Sequence, residues 1–318
     1  MAFSRILGTG GYLPKRAVTN AELEKSVATS DQWIRERTGI RKRHLVSGKE
    51  TTSVLAERAS LRAIEAAGIN AKDIDLIVLG TATPDLIYPA TACRVQARLG
   101  IKNCPAFDVQ AVCTGFIYAL STADRFIRTN SATCALVVGA DANSKVINWA
   151  DRSTCVLFGD GGGAVVLGAS EEPGILSTHL HADGRYEQLL YVDGGVFHEK
   201  SHPAHMKMQG SEVFKIAVRT LSRIVDETLA ANDLNKKDLD WLIPHQANIR
   251  IITATAKKLG LPIEQVIVTV EEHGNTSAAS VPLALDVGIR DGRIKHGQTV
   301  LLEAFGGGFT WGSALIHY

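Results

Sequence analysis

The chain predicts an α/β protein made of two similar halves packed face to face, with a site between them. Three observations carry that prediction. Apolar strands alternate with amphipathic helices along the chain, the order that produces mainly parallel sheets covered by helices. The second part of the sequence repeats the first at a fixed spacing of 165 residues. The 318 residues are 45% apolar and 21% charged, which suffices for a large core in one big domain or two of average size.

The first half reads as a short strand after the N-terminus, a helix over 30–37, a helix over Thr52–Ala67 and a strand over 74–79. Strands near Ala106–Val109 and 135–139 flank a helix that begins at Cys113. There Phe116, Ile117, Leu120, Ala123, Phe126 and Ile127 recur at helical spacing. In the second half Lys237-Asp238-Leu239-Asp240-Trp241-Leu242 echoes Lys72-Asp73-Ile74-Asp75-Leu76-Ile77. Likewise 299–304 echoes 134–139, and 278–285 falls on the Cys113 helix, each match 165 residues on. The two units span 1–170 and 171–318, and 170–209, rich in Gly, His and Asp, reads as an irregular insertion at their boundary. The glycine runs 8–11 and 159–163 do not open helices, so they fail the dinucleotide-binding pattern and read as turns.

Composition removes several function classes. A net charge of +1 argues against nucleic acid as the main partner. Five cysteines, an odd number without CxxC or Cys–His zinc spacing, support neither a disulfide framework nor a metal site, so no metal ligand is expected. No signal-peptide apolar region follows Met1 and no apolar run is long enough to span a bilayer. A soluble, cytoplasmic setting is expected.

Four stretches could carry chemistry. A strand runs into Cys113 and a helix follows at once, so the positive helix end is expected to favour a thiolate. Ala111, Thr114 and Gly115 leave room for a carbonyl to approach. An isolated cysteine is more often a buried structural residue, and a base and an oxyanion site elsewhere must turn that balance. His245 ends an apolar strand, where α/β sheets place functional groups. Asn275 either caps the helix after it or points an amide donor into the cleft, and the pseudo-twofold repeat brings it towards Cys113. Gly306-Gly307-Gly308 follows a strand, and its backbone N–H groups either make a turn or join the Cys113 N–H in an oxyanion hole. Trp33 and Arg37, four apart on one helix, share a face that could stack on a base and bind phosphate.

Together Cys113-Thr114-Gly115-Phe116, His245-Gln246-Ala247-Asn248, His273-Gly274-Asn275-Thr276-Ser277 and Phe305-Gly306-Gly307-Gly308-Phe309 resemble the thiolase superfamily, and within it the beta-ketoacyl-[acyl-carrier-protein] synthase III branch. The resemblance runs over nearly the whole chain. It implies a thiolase-like fold with a layered αβαβα core. It implies a catalytic set of Cys113, His245 and Asn275, with the Gly307 N–H in the oxyanion hole. The implied reaction is decarboxylative condensation of an acyl-coenzyme A primer with malonyl-acyl-carrier protein through an acyl-Cys intermediate. Thiolases use a second cysteine as base, and no cysteine here stands in such a motif. No cofactor is implied, acyl-coenzyme A being a substrate.

By the same resemblance Trp33, Arg37 and Arg152 meet coenzyme A. Gly210, Phe214 and Asn248 line the pantetheine channel. Phe305 lines the acyl pocket, with Leu189 or Leu190, Thr81 and Phe158. Ile87 stands where acetyl-specific members carry a Phe that reaches across a homodimer, so a primer longer than acetyl is open. Gln246, Arg250, Lys215 and Lys257 are expected to dock the acidic carrier protein. Two alternatives remain at this point. One is a related condensing enzyme of secondary metabolism with another acyl donor or acceptor. The other is a non-catalytic acyl- or coenzyme A-binding protein on this fold, against which the intact Cys-His-Asn set argues.

Overall fold

The computed structural model describes residues 3–198 and 202–318; Met1, Ala2 and residues 199–201, the last within the expected insertion, lie outside the described residues. Nine strands build two sheets. The first contains β1 (Phe3–Tyr12), β2 (Leu76–Gly80), β3 (Ala106–Val109), β4 (Cys134–Ala142) and β5 (Asp160–Ser170), in the order β1-β5-β4-β2-β3. The second contains β6 (Ile175–Ala182), β7 (Trp241–Pro244), β8 (Thr299–Gly306) and β9 (Thr310–His317), in the order β7-β8-β9-β6. Seven longer helices accompany them: α1 (Asp31–Thr38), α2 (Thr52–Ala67), α3 (Thr91–Leu99), α4 (Gly115–Arg128), α5 (Gly210–Ala230), α6 (Ile249–Leu259) and α7 (Ser280–Arg290).

The layering follows from which faces are apolar. Phe116, Ile117 and Leu120 of α4 and Val281, Ala284 and Leu285 of α7 share one core with Val78 and Val137 of the first sheet and Ile243 and Leu302 of the second. These two helices therefore form the middle layer. Ala56, Ala59 and Ala63 of α2 and Val95 of α3 cover the opposite face of the first sheet. Val225 of α5 and Ile252 and Ala256 of α6 cover that of the second, against Leu301 and Leu315. The result is the αβαβα stack.

The repeat is kept in the strand register. Leu76 of β2 pairs with Ala135 of β4, and Trp241 of β7 pairs with Val300 of β8, each residue 165 beyond its counterpart. The capping boxes that lead into β2 and β7, Asn70 with Asp73 and Asn235 with Asp238, obey the same spacing.

Three expectations are corrected. The sheets are mixed rather than mainly parallel, because β5 runs antiparallel to β1 and β4, and β9 antiparallel to β8 and β6. Apolar periodicity does not encode strand direction. The glycines at 8–11 and 161–163 lie inside β1 and β5 rather than in turns. Helices press on these strands so closely that a Cβ on Gly162 would stand 2.6 Å from the Leu55 carbonyl oxygen, and one on Gly163 2.8 Å from the Leu283 nitrogen. Finally, β6 is a regular strand within the expected insertion. After it come a 3₁₀ turn, Gly184–Leu189, and a short ribbon of Leu190–Val192 with Met206–Met208.

Candidate active site

Cys113 sits in a single 3₁₀ turn, Val112–Thr114, between β3 and α4. Val112 there has φ +48°, a left-handed conformation that is costly for a β-branched residue and holds the turn sharp. The start of β9 clamps it. Thr310 Oγ1 donates to the Ala111 carbonyl at 2.8 Å, and Thr114 Oγ1 donates to the Thr310 carbonyl at 3.1 Å. The end of β8 presses on the same turn: a Cβ on Gly306 would lie 2.8 Å from the Cys113 nitrogen. Gly307 follows, packed on the Leu190 carbonyl.

His245 follows β7 and is held from both sides. Its N–H donates to the Glu303 carbonyl at 2.8 Å, and its Nδ1 lies 2.6 Å from Ser280 Oγ at the start of α7. Asn275 precedes the 3₁₀ turn that leads into α7. Its Oδ1 accepts from the Ser277 N–H at 2.9 Å, which turns the amide nitrogen into the available donor. Cys113, His245 and Asn275 all line one cavity of about 570 Å³.

The electrostatics depart from expectation. Burial pushes the Cys113 thiol up to about 12, and nearby Asp141 adds to this; the Ser277 hydroxyl and the backbone act in the opposite sense. The expected thiolate is therefore corrected to a thiol, since desolvation outweighs the helix end. Burial also drives His245 down to about 3, so its imidazole is neutral. The resting pair is a thiol beside a neutral imidazole.

Several other expected residues line the same cavity: Arg37, Gly210, Phe214, Asn248 and Phe305, with Phe158 and Leu190, and with Lys215 and Arg250 exposed at its rim. Asn248 caps α6 by accepting from the Ile251 N–H at 3.0 Å. Arg250 lies over the Phe214 ring, 5.6 Å from its centre, and Lys215 pairs with Glu212 at 2.9 Å. Trp33 is not among the residues that line the cavity; the guanidinium groups of Arg37 and Arg152 lie over its ring, 5.9 Å and 4.6 Å from its centre. A base stacking on the side of Trp33 that faces Arg152 must displace that guanidinium. Lys257 lies two helical turns beyond Arg250, exposed but away from the cavity.

Two placements change. Gln246, expected to meet the carrier protein, is 1% exposed. Its amide nitrogen donates to the Pro244 and Ile267 carbonyls at 2.7 and 3.1 Å, and its oxygen accepts from Thr269 N–H at 2.8 Å. A polar side chain satisfied this way ties the His245 loop inward and cannot dock a partner. Thr81 donates to Asp141 at 3.0 Å and is not among the residues that line this cavity.

Sequence reasoning missed Ser280, Asp141 and Met208. Ser280 stands 165 residues after Gly115, so the repeat itself held a signal for its position. Among the described residues one group outside the cavity, Asp193, His198 and His202 between the two strands of the ribbon, brings three potential metal-donor atoms within 4.8 Å of one another. No helix of the described residues is long and apolar enough to cross a membrane.

Comparison with known proteins places the whole chain in a family. The family model described as 3-oxoacyl-[acyl-carrier-protein (ACP)] synthase III matches residues 107–184, and the model for the C-terminal part of that enzyme matches residues 229–318. A Thioalkalivibrio sulfidiphilus protein named beta-ketoacyl-[acyl-carrier-protein] synthase III is 62% identical over an alignment of 322 positions that covers 100% of both chains. One of the same name from Thiobacillus denitrificans is 62% identical over 319, again covering 100% of each. The crystal structure of 3-oxoacyl-[acyl-carrier-protein] synthase III from Aquifex aeolicus VF5 is 46% identical and superimposes with a TM-score of 0.94, covering 99% of this chain and 100% of that one. With likeness of that degree running the full length, the chain belongs to the 3-oxoacyl-[acyl-carrier-protein] synthase III family.

Proposed function

We propose that this protein joins an acyl-coenzyme A primer to malonyl-acyl-carrier protein, releasing coenzyme A and CO2 and giving a 3-oxoacyl-acyl-carrier protein, the opening condensation of fatty-acid synthesis. The observation that carries this is the convergence of Cys113, His245 and Asn275, from three distant stretches, on one cavity.

The residue chemistry divides the reaction in two. Because the thiol is neutral, sulfur attacks the primer thioester as its proton passes to His245 Nε2, and that proton then leaves with the coenzyme A thiolate. The N–H groups of Cys113 and Gly307 hold the tetrahedral oxyanion. The malonyl thioester then enters. Loss of CO2 leaves an enolate, whose oxygen takes hydrogen bonds from His245 Nε2–H and the Asn275 amide. The enolate carbon attacks the acyl-Cys113 carbonyl, the C–S bond breaks, and the departing sulfur takes up one proton from solvent, which restores the Cys113 thiol.

The mouth fits the two carriers. Trp33, Arg37 and Arg152 suit the base and phosphates of coenzyme A, while Arg250, Lys215 and Lys257 present positive charge to an acidic carrier protein. Leu86, Ile87 and Tyr88 form an exposed apolar loop, with Ile87 73% exposed. It suits the contact of a homodimer, with Ile87 reaching the partner's acyl pocket and admitting a primer longer than acetyl. We place this chemistry in the cytoplasm.

The test measures acyl-Cys formation and malonyl decarboxylation separately. Cys113→Ala is expected to abolish acyl transfer yet decarboxylate malonyl-acyl-carrier protein. His245→Ala and Asn275→Ala are expected to lose decarboxylation by about a hundredfold or more, as when one oxyanion donor is removed. An Asn275→Ala enzyme that decarboxylates like the parent overturns this division of roles.

A further inference from the structure

His245 has two tasks that need opposite proton positions. In acyl transfer Nε2 must be bare to take the Cys113 proton. In decarboxylation Nε2 must carry a proton for the enolate oxygen. The ring is buried and stays neutral, so the first task needs the Nδ1–H tautomer and the second the Nε2–H tautomer. The group facing Nδ1 therefore decides which task is served. A carboxylate or carbonyl there would hold Nδ1–H and favour only the first. A backbone N–H would hold Nε2–H and favour only the second.

The group that faces Nδ1 is the Ser280 hydroxyl, at 2.6 Å and 1% exposed. A hydroxyl accepts or donates according to a rotation about one bond. We propose that Ser280 is a positioning residue that supports both tautomers of His245 in turn, so that one imidazole serves both half-reactions; this rests on the two-step reaction proposed above. Between the half-reactions one N–H bond forms at Nε2 with a proton from pocket water, and one breaks at Nδ1 with its proton returned to water. The ring charge and the proton count are unchanged.

Two observations favour this beyond the distance. Among the described residues the only other bond to the Ser280 oxygen is a long one, from the Gln246 N–H at 3.4 Å, so the hydroxyl is not committed as an acceptor. The repeat supplies the second. His245 and Ser280 stand 165 residues beyond Gly80 and Gly115. At that earlier crossing the backbones touch, and a Cβ on Gly80 would collide with the Gly115 carbonyl. The first half closes the crossing with two glycines; the second opens it for an imidazole and a hydroxyl.

The experiment uses the full-length protein with ¹⁵N-labelled histidine, together with separate assays of the half-reactions. In the parent protein the ¹⁵N shifts of His245 should move towards the Nε2–H tautomer when Cys113 is acylated. Ser280→Ala should slow both half-reactions by about tenfold to a hundredfold, the scale for losing the orienting partner of a metal-bound histidine, and should leave the tautomer ratio unresponsive to acylation. Ser280→Thr, which keeps the hydroxyl, should restore both. A parent His245 that shows one tautomer before and after acylation overturns the proposal, even where Ser280→Ala does not fold. So does a Ser280→Ala enzyme slowed in one half-reaction only. Failure of Cys113 to become acylated at all would instead count against the two-step reaction.

Discussion

The turn at Val112–Thr114 and the turn at Ser277–Ala279 follow the same backbone path, with φ +48° at Val112 and +53° at Ser277, and each leads into a helix of the middle layer. The first presents Cys113; the second presents Ala278 at the matching place. What faces them differs as well. The Ala278 N–H is capped by the Asp141 carboxylate at 3.1 Å. The residue that corresponds to Asp141 in the second half is Gly306, and it faces the Cys113 nitrogen without any side chain. One half ties down its elbow N–H, and the other leaves that donor open. The comparison teaches that an oxyanion donor can be made in a duplicated frame by removing a cap.

The largest effect should come from closing that opening. A Cβ at residue 306 would stand 2.8 Å from the Cys113 nitrogen, tighter than packing allows. Gly306→Ala should therefore cut acyl transfer by about 10²–10³-fold, the scale for losing one oxyanion donor, with overpacking of about 1–3 kcal/mol lowering the melting temperature. Single-turnover acylation of Cys113 and a melting curve check both. Normal acylation in this variant would mean that the Cys113 N–H takes no part.

A smaller effect should follow from weakening the cap on the other elbow. Asp141 is fully buried and accepts from Thr81, Thr83, the Ala82 N–H and the Ala278 N–H. Its charge also helps to hold the Cys113 thiol up. Alkylation of Cys113 in the parent should keep accelerating above pH 9, because burial holds the thiol near 12. Asp141→Asn should shift that profile to lower pH. A parent profile that levels off near neutrality would restore the thiolate that the helix end alone suggests.

How much of this was legible in the sequence depends on whether the cause was local. The repeat was readable because Asp73 and Asp238, and the buried strands after them, do the same local work in both halves. Cys113, His245 and Asn275 stood out by residue type at the ends of strands and starts of helices. Gln246, expected at the carrier-protein contact, is instead buried, because its partners Ile267 and Thr269 approach only on folding. The glycines of β1 and β5 read as turns because the pressure of α2 and α7 on them is tertiary. Burial, which sets the state of Cys113 and His245, is likewise written in no single stretch.

The smallest effect on turnover sharpens the same comparison deeper in the sheets. Val138 of β4 and Glu303 of β8 hold matching places, both fully buried. Val138 packs in an apolar core, but neither carboxylate oxygen of Glu303 has a hydrogen-bond partner among the described residues. Burial raises Glu303 well above the usual carboxylate range, so it is held neutral. The folded state then keeps a proton that the unfolded chain has lost above about pH 4.5. Stability contributed by that proton is complete below pH 4.5 and declines as pH rises through the folded value. His245 and His273, which burial drives down to about 3 and about 4, act the other way, because unfolded histidine binds protons below about 6.5. Glu303→Gln removes only the first slope. Its stability relative to the parent should grow with pH from about 5 upwards, while acid denaturation below pH 6 stays and turnover remains near that of the parent. Denaturant melts at pH 5, 7 and 9 decide it: a gap that shrinks with pH would mean that Glu303 is ionised and paired in the folded protein.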